Sequence, residues 1–365
     1  MTDRPAPSKS EQFDKAFDYL LGHLAITIAG IGLRSGLLEE IRRHDEGVGV
    51  ERLAADLEFD PHAVEVWCRS AYAFELLDLQ AAAGYRLAPH MGAILLEPLD
   101  PAYMGGRVRF ANLSHVDAEA YLEFLRTGEP VARSEHNSEM LALVADTSNA
   151  DAPIITDEVL PQVPMVIERL EAGGRLLDLG AGAGYHLAHY ASRFPEARLV
   201  GLESDEPSVA IARSTISEAG VSDRVAIVHA DAGGLAEDSA YDVVTMNLVL
   251  HEIGDSTAQA EVLKRVQRAL RPGGVIVAVE LPYPDEETAY RREPVYRRLA
   301  GLMLHEALVG CGSITQDRLI ELVRSAGFDH VDAVGTSRTS RWVVLGHKED
   351  PSTVYGAGSR SRIAQ

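Results

Sequence analysis

The nine residues Leu176-Leu177-Asp178-Leu179-Gly180-Ala181-Gly182-Ala183-Gly184 put an apolar run, an acid and three alternate glycines in sequence. The run predicts a strand, and the glycines predict a turn that opens a helix. Glycine accepts left-handed backbone and lets the chain approach a ligand closely. The next apolar run ends at Glu203. An acid about twenty residues after such a loop is placed to bind ribose hydroxyls. The loop alone fits any nucleotide-binding α/β protein. Its place in mid-chain, with Asp178-Leu179 before the first glycine, argues against NAD.

Three later signals follow in order. Val225-Ala226-Ile227-Val228-His229-Ala230-Asp231-Ala232 reads as a strand ending in Asp-Ala. Tyr241-Asp242-Val243-Val244-Thr245-Met246-Asn247-Leu248 reads as another, running into Val249-Leu250-His251-Glu252. Leu270-Arg271-Pro272-Gly273-Gly274 predicts a helix end and a tight turn before a strand that ends at Glu280. The pattern Asp-x-Gly-x-Gly-x-Gly, with these segments behind it, resembles class I S-adenosylmethionine (SAM) methyltransferases. The resemblance implies an α/β, Rossmann-like seven-stranded domain. It makes Asp178, Gly180, Gly182, Gly184, Glu203, Asp231, Ala232 and Asn247 the residues that hold SAM. In that family the loop takes the amino-acid end of SAM, and the acid at position 231 sits beside the adenine. The plain alternative is a doubly wound domain with another ligand.

Composition narrows the classes. A chain of 365 residues exceeds the usual size of a single core. A net charge of −21 disfavours nucleic acid as a partner, since phosphate binding needs a basic face. There is no uninterrupted apolar run of membrane-spanning length and no signal-peptide layout, so no membrane partner is expected. The two cysteines, Cys68 and Cys311, make no disulfide framework and suit a reducing cytoplasm.

Residues 17–33 carry apolar and small residues at helical spacing, and residues 50–57 form a short helix. Asp60-Pro61 offers an N-cap and first-turn proline for a helix over 62–77, and residues 79–87 have hairpin length. This is a winged-helix order, but the candidate recognition helix has too little positive charge for a DNA groove. Dimerisation is the expected role. The whole arrangement resembles the O-methyltransferase-like group with an N-terminal winged-helix dimerisation domain. That resemblance implies a homodimer acting on a small-molecule acceptor. The expected organisation is a dimerisation domain over 13–97, a helical linker over 98–164, a SAM-binding domain over 165–348, and disordered tails at 1–12 and 349–365.

In the resembled group the linker shapes the acceptor pocket; read from residues alone, it is equally a solvated helical bridge. Arg133, beside His136 and Asn137, is the candidate contact for a substrate carboxylate, because its planar fork binds both oxygens. His251 follows a strand at the carboxyl edge of the sheet, where open α/β folds bind ligands. In the resembled group a His here takes the acceptor's proton, with Glu252 in the place of an Asp, and the Trp that usually follows is missing. A second pair, His305-Glu306, falls on an expected helix over 297–309. A subgroup of metal-binding α-keto acid C-methyltransferases has His-Asp at both places. That resemblance implies a metal, iron or zinc, held by His251 and His305, with His251, Glu252 and His305 catalytic. A metal would act as a Lewis acid for methylation at the β-carbon of an α-keto acid. The alternative is metal-independent O-methylation with His251 as general base. A non-catalytic SAM- or DNA-binding regulator is the remaining reading.

Overall fold

The computed structural model describes residues 6–80, 83–114, 118–130, 146–336 and 341–350. The chain forms two compact units, residues 1–129 with 134–150, and residues 130–133 with 151–365. Arg133, His136 and Asn137 lie outside the described residues, as do 1–5 and 351–365 of the expected tails.

The first unit is helical with one hairpin. Its longest helix, Lys9–Ser35, starts earlier than the expected tail allows. Ser8 and Glu11 cap each other's backbone N–H groups, so residues 9–12 are helical. The helix Pro61–Ala73 is capped by Asp60 and is shorter than expected. Glu75 takes φ +57° and turns the chain, so Leu77 opens strand β1 instead of closing the helix. β1 (Leu77–Gln80) pairs antiparallel with β2 (Gly84–Leu87). Lys9–Ser35 leaves Phe13, Phe17, Leu20 and Leu24 exposed at helical spacing. By length and composition it is long and apolar enough to cross a membrane, which a search for an uninterrupted run does not register.

The second unit is a seven-stranded sheet in the order β5-β4-β3-β6-β7-β9-β8. The strands are β3 (Arg175–Leu179), β4 (Arg198–Glu203), β5 (Val225–His229), β6 (Tyr241–Asn247), β7 (Leu270–Glu280), β8 (His330–Val334) and β9 (Trp342–His347). Five are parallel, from β5 across to β7; β9 runs antiparallel to β7 and to β8. The Arg271-Pro272-Gly273-Gly274 turn lies within β7, where the pairing with β6 shifts register and Gly273 takes φ +75°.

Strand alternation builds two cores. Leu176, Val243 and Val275 enter the core on one face, and Leu177, Val244 and Ile276 enter the core on the other. Parallel strands covered on both faces need such continuous apolar runs. The strand order reverses between β3 and β6, so the helices that follow them pack on opposite faces, which is the arrangement that binds ligands at the carboxyl ends in open α/β sheets.

Gly201 on β4 has no room for a side chain, since a β-carbon would lie 2.4 Å from Leu187 Cδ1 and 2.9 Å from Ala181 Cβ. Gly201→Val is expected to lower stability by about 1–3 kcal/mol, the usual cost of overpacking. Urea unfolding checks this, and an unchanged midpoint would contradict the packing.

Candidate cofactor loop and acceptor site

The glycines after β3 do three different things. All are left-handed, at φ +78° for Gly180, +50° for Gly182 and +79° for Gly184. A β-carbon on Gly180 would lie 2.3 Å from Val249 Cγ2, and one on Gly184 3.1 Å from Ala212 Cα. These two glycines allow close packing of the loop against its neighbours. A β-carbon on Gly182 would meet nothing within 4 Å, so this glycine borders open space. Gly184 caps the helix Tyr185–Arg193.

Two acids hold the loop. Glu203, at the end of β4, accepts the Gly182 N–H at 2.8 Å and the Asp205 N–H at 2.9 Å. Each carboxylate oxygen keeps a lone pair for a ligand hydroxyl. Asp178 is buried and accepts the Thr245 hydroxyl at 2.6 Å. Burial raises its carboxyl above the ordinary range, partly opposed by nearby His186 and by the Thr245 hydrogen bond. Asp231 accepts the Gly233 N–H at 2.6 Å, and Ala232 begins the short turn Ala232–Gly234. Asn247, at the end of β6, donates to Asp151 Oδ2 at 3.4 Å, while its buried Oδ1 has no partner.

His251 lies in the turn Leu250–Glu252, directly after β6. It is buried, and its Nδ1 stands 2.7 Å from Glu280 Oε2. Its backbone N–H also donates to Glu280 Oε1, at 3.2 Å. Glu280 ends β7 and is 2% exposed, so the contact is shielded from water. Across the imidazole, Nε2 stands 4.0 Å from Glu306 Oε2. Burial opposes a charge on His251, but the Glu280 carboxylate and its hydrogen bond, helped by Glu252 and Glu306, outweigh it and push the imidazole up to about 9. Burial also raises the Glu306 carboxyl.

The helix Pro294–Leu308 carries both His305 and Glu306, and the residue within reach of the His251 Nε2 is Glu306. Among the described residues, the metal-type donors gathered around His251 are Glu252 and Cys311, all within 4.8 Å of one another. His305 is not in that group, so among the described residues the donors that gather within this distance of His251 are Glu252 and Cys311 rather than the expected His305. Adjacent positions on a helix point about 100° apart, so the sequence pair His305-Glu306 does not reveal which member faces inward.

Comparison with known proteins bears on this geometry. Residues 176–274 match the family described as methyltransferase domain. The chain is 30% identical over 212 residues to trans-aconitate 2-methyltransferase of Methylobacterium nodulans, covering 56% of this chain and 73% of that protein. The chain belongs to the SAM-dependent methyltransferases. It is 32% identical over 154 residues to the phenazine O-methyltransferase PhzM of Lysobacter antibioticus, covering 42% of each. The fold is similar to that of human N-acetylserotonin methyltransferase in complex with SAM, with a TM-score of 0.69, 17% identity, and 94% of this chain and 100% of that one covered.

In this methyltransferase the glycine spacing marks the candidate cofactor loop, whereas the partner of His251, Glu280, is not among the expected site residues. Its signal was present, since an apolar run ending in an acid marks Glu203 as well. Gly182→Val and Glu203→Ala are expected to weaken S-adenosylhomocysteine (SAH) binding by at least about tenfold, from lost space and lost charge-assisted hydrogen bonds. Calorimetric titration measures this, with thermal melts to show that both variants fold. Unchanged affinity in both would remove SAM from this loop.

Proposed function

We propose that the protein transfers a methyl group from SAM to an ionisable oxygen of a small acceptor, with His251 as the base. The observation that carries this reading is the buried 2.7 Å contact between His251 Nδ1 and Glu280. It fixes the tautomer and ring plane and leaves Nε2 for the acceptor proton. An oxygen lone pair forms the new bond to the methyl carbon as the carbon–sulfur pair returns to sulfur. The proton passes to Nε2, and the products are the methylated acceptor and SAH. The relatives' names, with trans-aconitate and phenazine as acceptors, support a small-molecule substrate.

A base held at about 9 is mostly protonated at neutral pH in the free enzyme. Therefore kcat/KM is expected to rise with pH and level off above about 9. Glu280→Gln removes the charge that raises the imidazole, so this limb should move to lower pH. His251→Ala should lower kcat by about 10²–10⁴-fold with SAH binding intact. A pH profile that is flat from about 6 to about 10 in the wild type would contradict the base.

A second reading has its own observation, the His251, Glu252 and Cys311 group. Imidazole nitrogen, carboxylate oxygen and thiolate are donors that zinc accepts together, and a metal-bound imidazole commonly gives its other N–H to a carboxylate, as Glu280 is placed to take it. The donor set fits zinc better than the expected iron or the His251–His305 pair. A Lewis acid there would stabilise the enolate of an α-keto acid for C-methylation at the β-carbon. Elemental analysis with chelation separates the readings. Activity that survives chelation, with less than about one-tenth metal per chain, supports the base alone.

The exposed Phe13, Phe17, Leu20 and Leu24 on Lys9–Ser35 support a homodimer through the first unit. Phe17→Asp with Leu20→Asp should turn a dimer into a monomer by light scattering. An unchanged dimer would place the interface elsewhere. The acidic balance supports a protein without a nucleic-acid partner, and the cysteine usage supports a cytoplasmic setting.

A further inference from the structure

Beyond the His251 turn, two arginines and one acid interact, Arg298, Arg341 and Asp151. Arg341 directly precedes β9, whose first residue, Trp342, pairs with Glu280. Its Nε stands 2.7 Å from Asp151 Oδ2, and both side chains are nearly buried. That pair is neutral. Arg298 lies on the helix Pro294–Leu308, eight residues before Glu306 and so about 12 Å along the axis. Its Nη2 is buried and has no hydrogen-bond partner. Arg341, Tyr283 and Asp151 act electrostatically on its guanidinium. Burial and then Arg341 pull its guanidinium below the ordinary range, opposed by Tyr283 and by Asp151, which is already paired with Arg341. Tyr283, three residues past Glu280, is 2% exposed, and its hydroxyl also has no partner.

An unpaired donor that is cut off from water costs free energy, and a buried guanidinium costs more. Two such donors, each buried, unpartnered and within electrostatic reach of the other, suit a ligand that accepts from both. We propose that Arg298, with the Tyr283 hydroxyl, anchors a carboxylate of the methyl acceptor. This rests on the reading of the His251 turn as the acceptor site. The planar fork suits two carboxylate oxygens, and Tyr283 supplies a third donor. Tyr283 senses both Arg298 and Glu306, and Glu306 Oε2 in turn lies 4.0 Å from His251 Nε2. The acceptor is then an acid whose charged end is held away from the atom that receives the methyl group. The amino-acid end of SAM carries the same chemistry, and the test separates the two.

The experiment uses the full chain and the variants Arg298→Met and Arg298→Lys. Met keeps the length of the stem and removes the charge; Lys keeps the charge and loses the fork. SAH affinity is measured first by calorimetry. Thermal melts of the SAH-loaded protein then follow with acetate, 2-oxobutyrate, phenylpyruvate and 4-hydroxybenzoate, each beside its amide. The expected result is unchanged SAH affinity in both variants. At least one carboxylate should bind the wild type about 10- to 100-fold better than its amide, the size of a charged hydrogen bond. That preference should vanish in Arg298→Met and be reduced in Arg298→Lys. Without ligand, Arg298→Met should melt at or above the wild type, because an unpaired buried charge is gone. Loss of SAH affinity by tenfold or more would assign the guanidinium to the cofactor and overturn the proposal. So would a lower ligand-free melting point in Arg298→Met, which marks a structural role, or the absence of any carboxylate preference. Full turnover in His251→Ala with the Arg298-dependent preference intact would refute the base and leave the anion anchor standing.

Discussion

The buried contact between His251 and Glu280 sets the chemistry of the sheet edge. An imidazolium loses several kcal/mol of hydration on burial, and a carboxylate does the same. The attraction between them offsets this only because the geometry is close, with one carboxylate taking both the Nδ1 contact and the backbone N–H of His251. The surrounding turn is clamped to hold that geometry. Leu248 N–H donates to Val279, Gln259 donates its side-chain amide to Leu250 O, and Gly312 N–H donates to His251 O. Leu248 itself takes φ +58°, an uncommon conformation for a non-glycine residue. The imidazole is raised in the folded chain relative to its ordinary 6.5. Its contribution to stability is therefore complete below about 6.5 and is lost as pH rises through about 9. The same pair that raises the His251 imidazole thus ties the stability of this turn to pH.

Parallel register explains why these groups meet. Leu179 pairs with Leu202, Glu203 with His229, and Asn247 with Val279, so the carboxyl ends of neighbouring strands finish at one edge. Each strand then delivers one polar group as it leaves the core. β3 supplies Asp178 and the glycine loop, β4 supplies Glu203, β6 supplies Asn247 and the His251 turn, and β7 supplies Glu280. Apolar residues behind them keep water out of the sheet, which strengthens every charge at its rim.

The cofactor half was legible because its signals are local. Apolar runs, alternate glycines and the acid that closes each run lie within short windows, and a left-handed glycine needs no tertiary contact to be suspected. The bounds of β3 and β6 also follow from the apolar runs, whereas β5 stops at His229 instead of running to Ala232, the Pro272-Gly273-Gly274 turn is absorbed into β7, Glu75 ends a helix early, and β8 and β9 carry no strand expectation. The acceptor half was not legible in the same way. Glu280 meets His251 across 29 positions, and Arg341 meets Asp151 across 190. No periodicity encodes such pairs. The choice between His305 and Glu306 depends on helix phase, which sequence spacing leaves open. Cys311 carries no sequence signal beyond its chemistry, since its nearness to His251 arises from the loop that follows the helix.

The most direct test is an NMR titration of the His251 imidazole in the ligand-free protein, assigned by difference from His251→Gln. A midpoint near 9 in the wild type, with a clearly lower one in Glu280→Gln, is the predicted result. A midpoint near the ordinary 6.5 in both proteins would contradict it, because the Glu280 carboxylate would then not control the proton on His251.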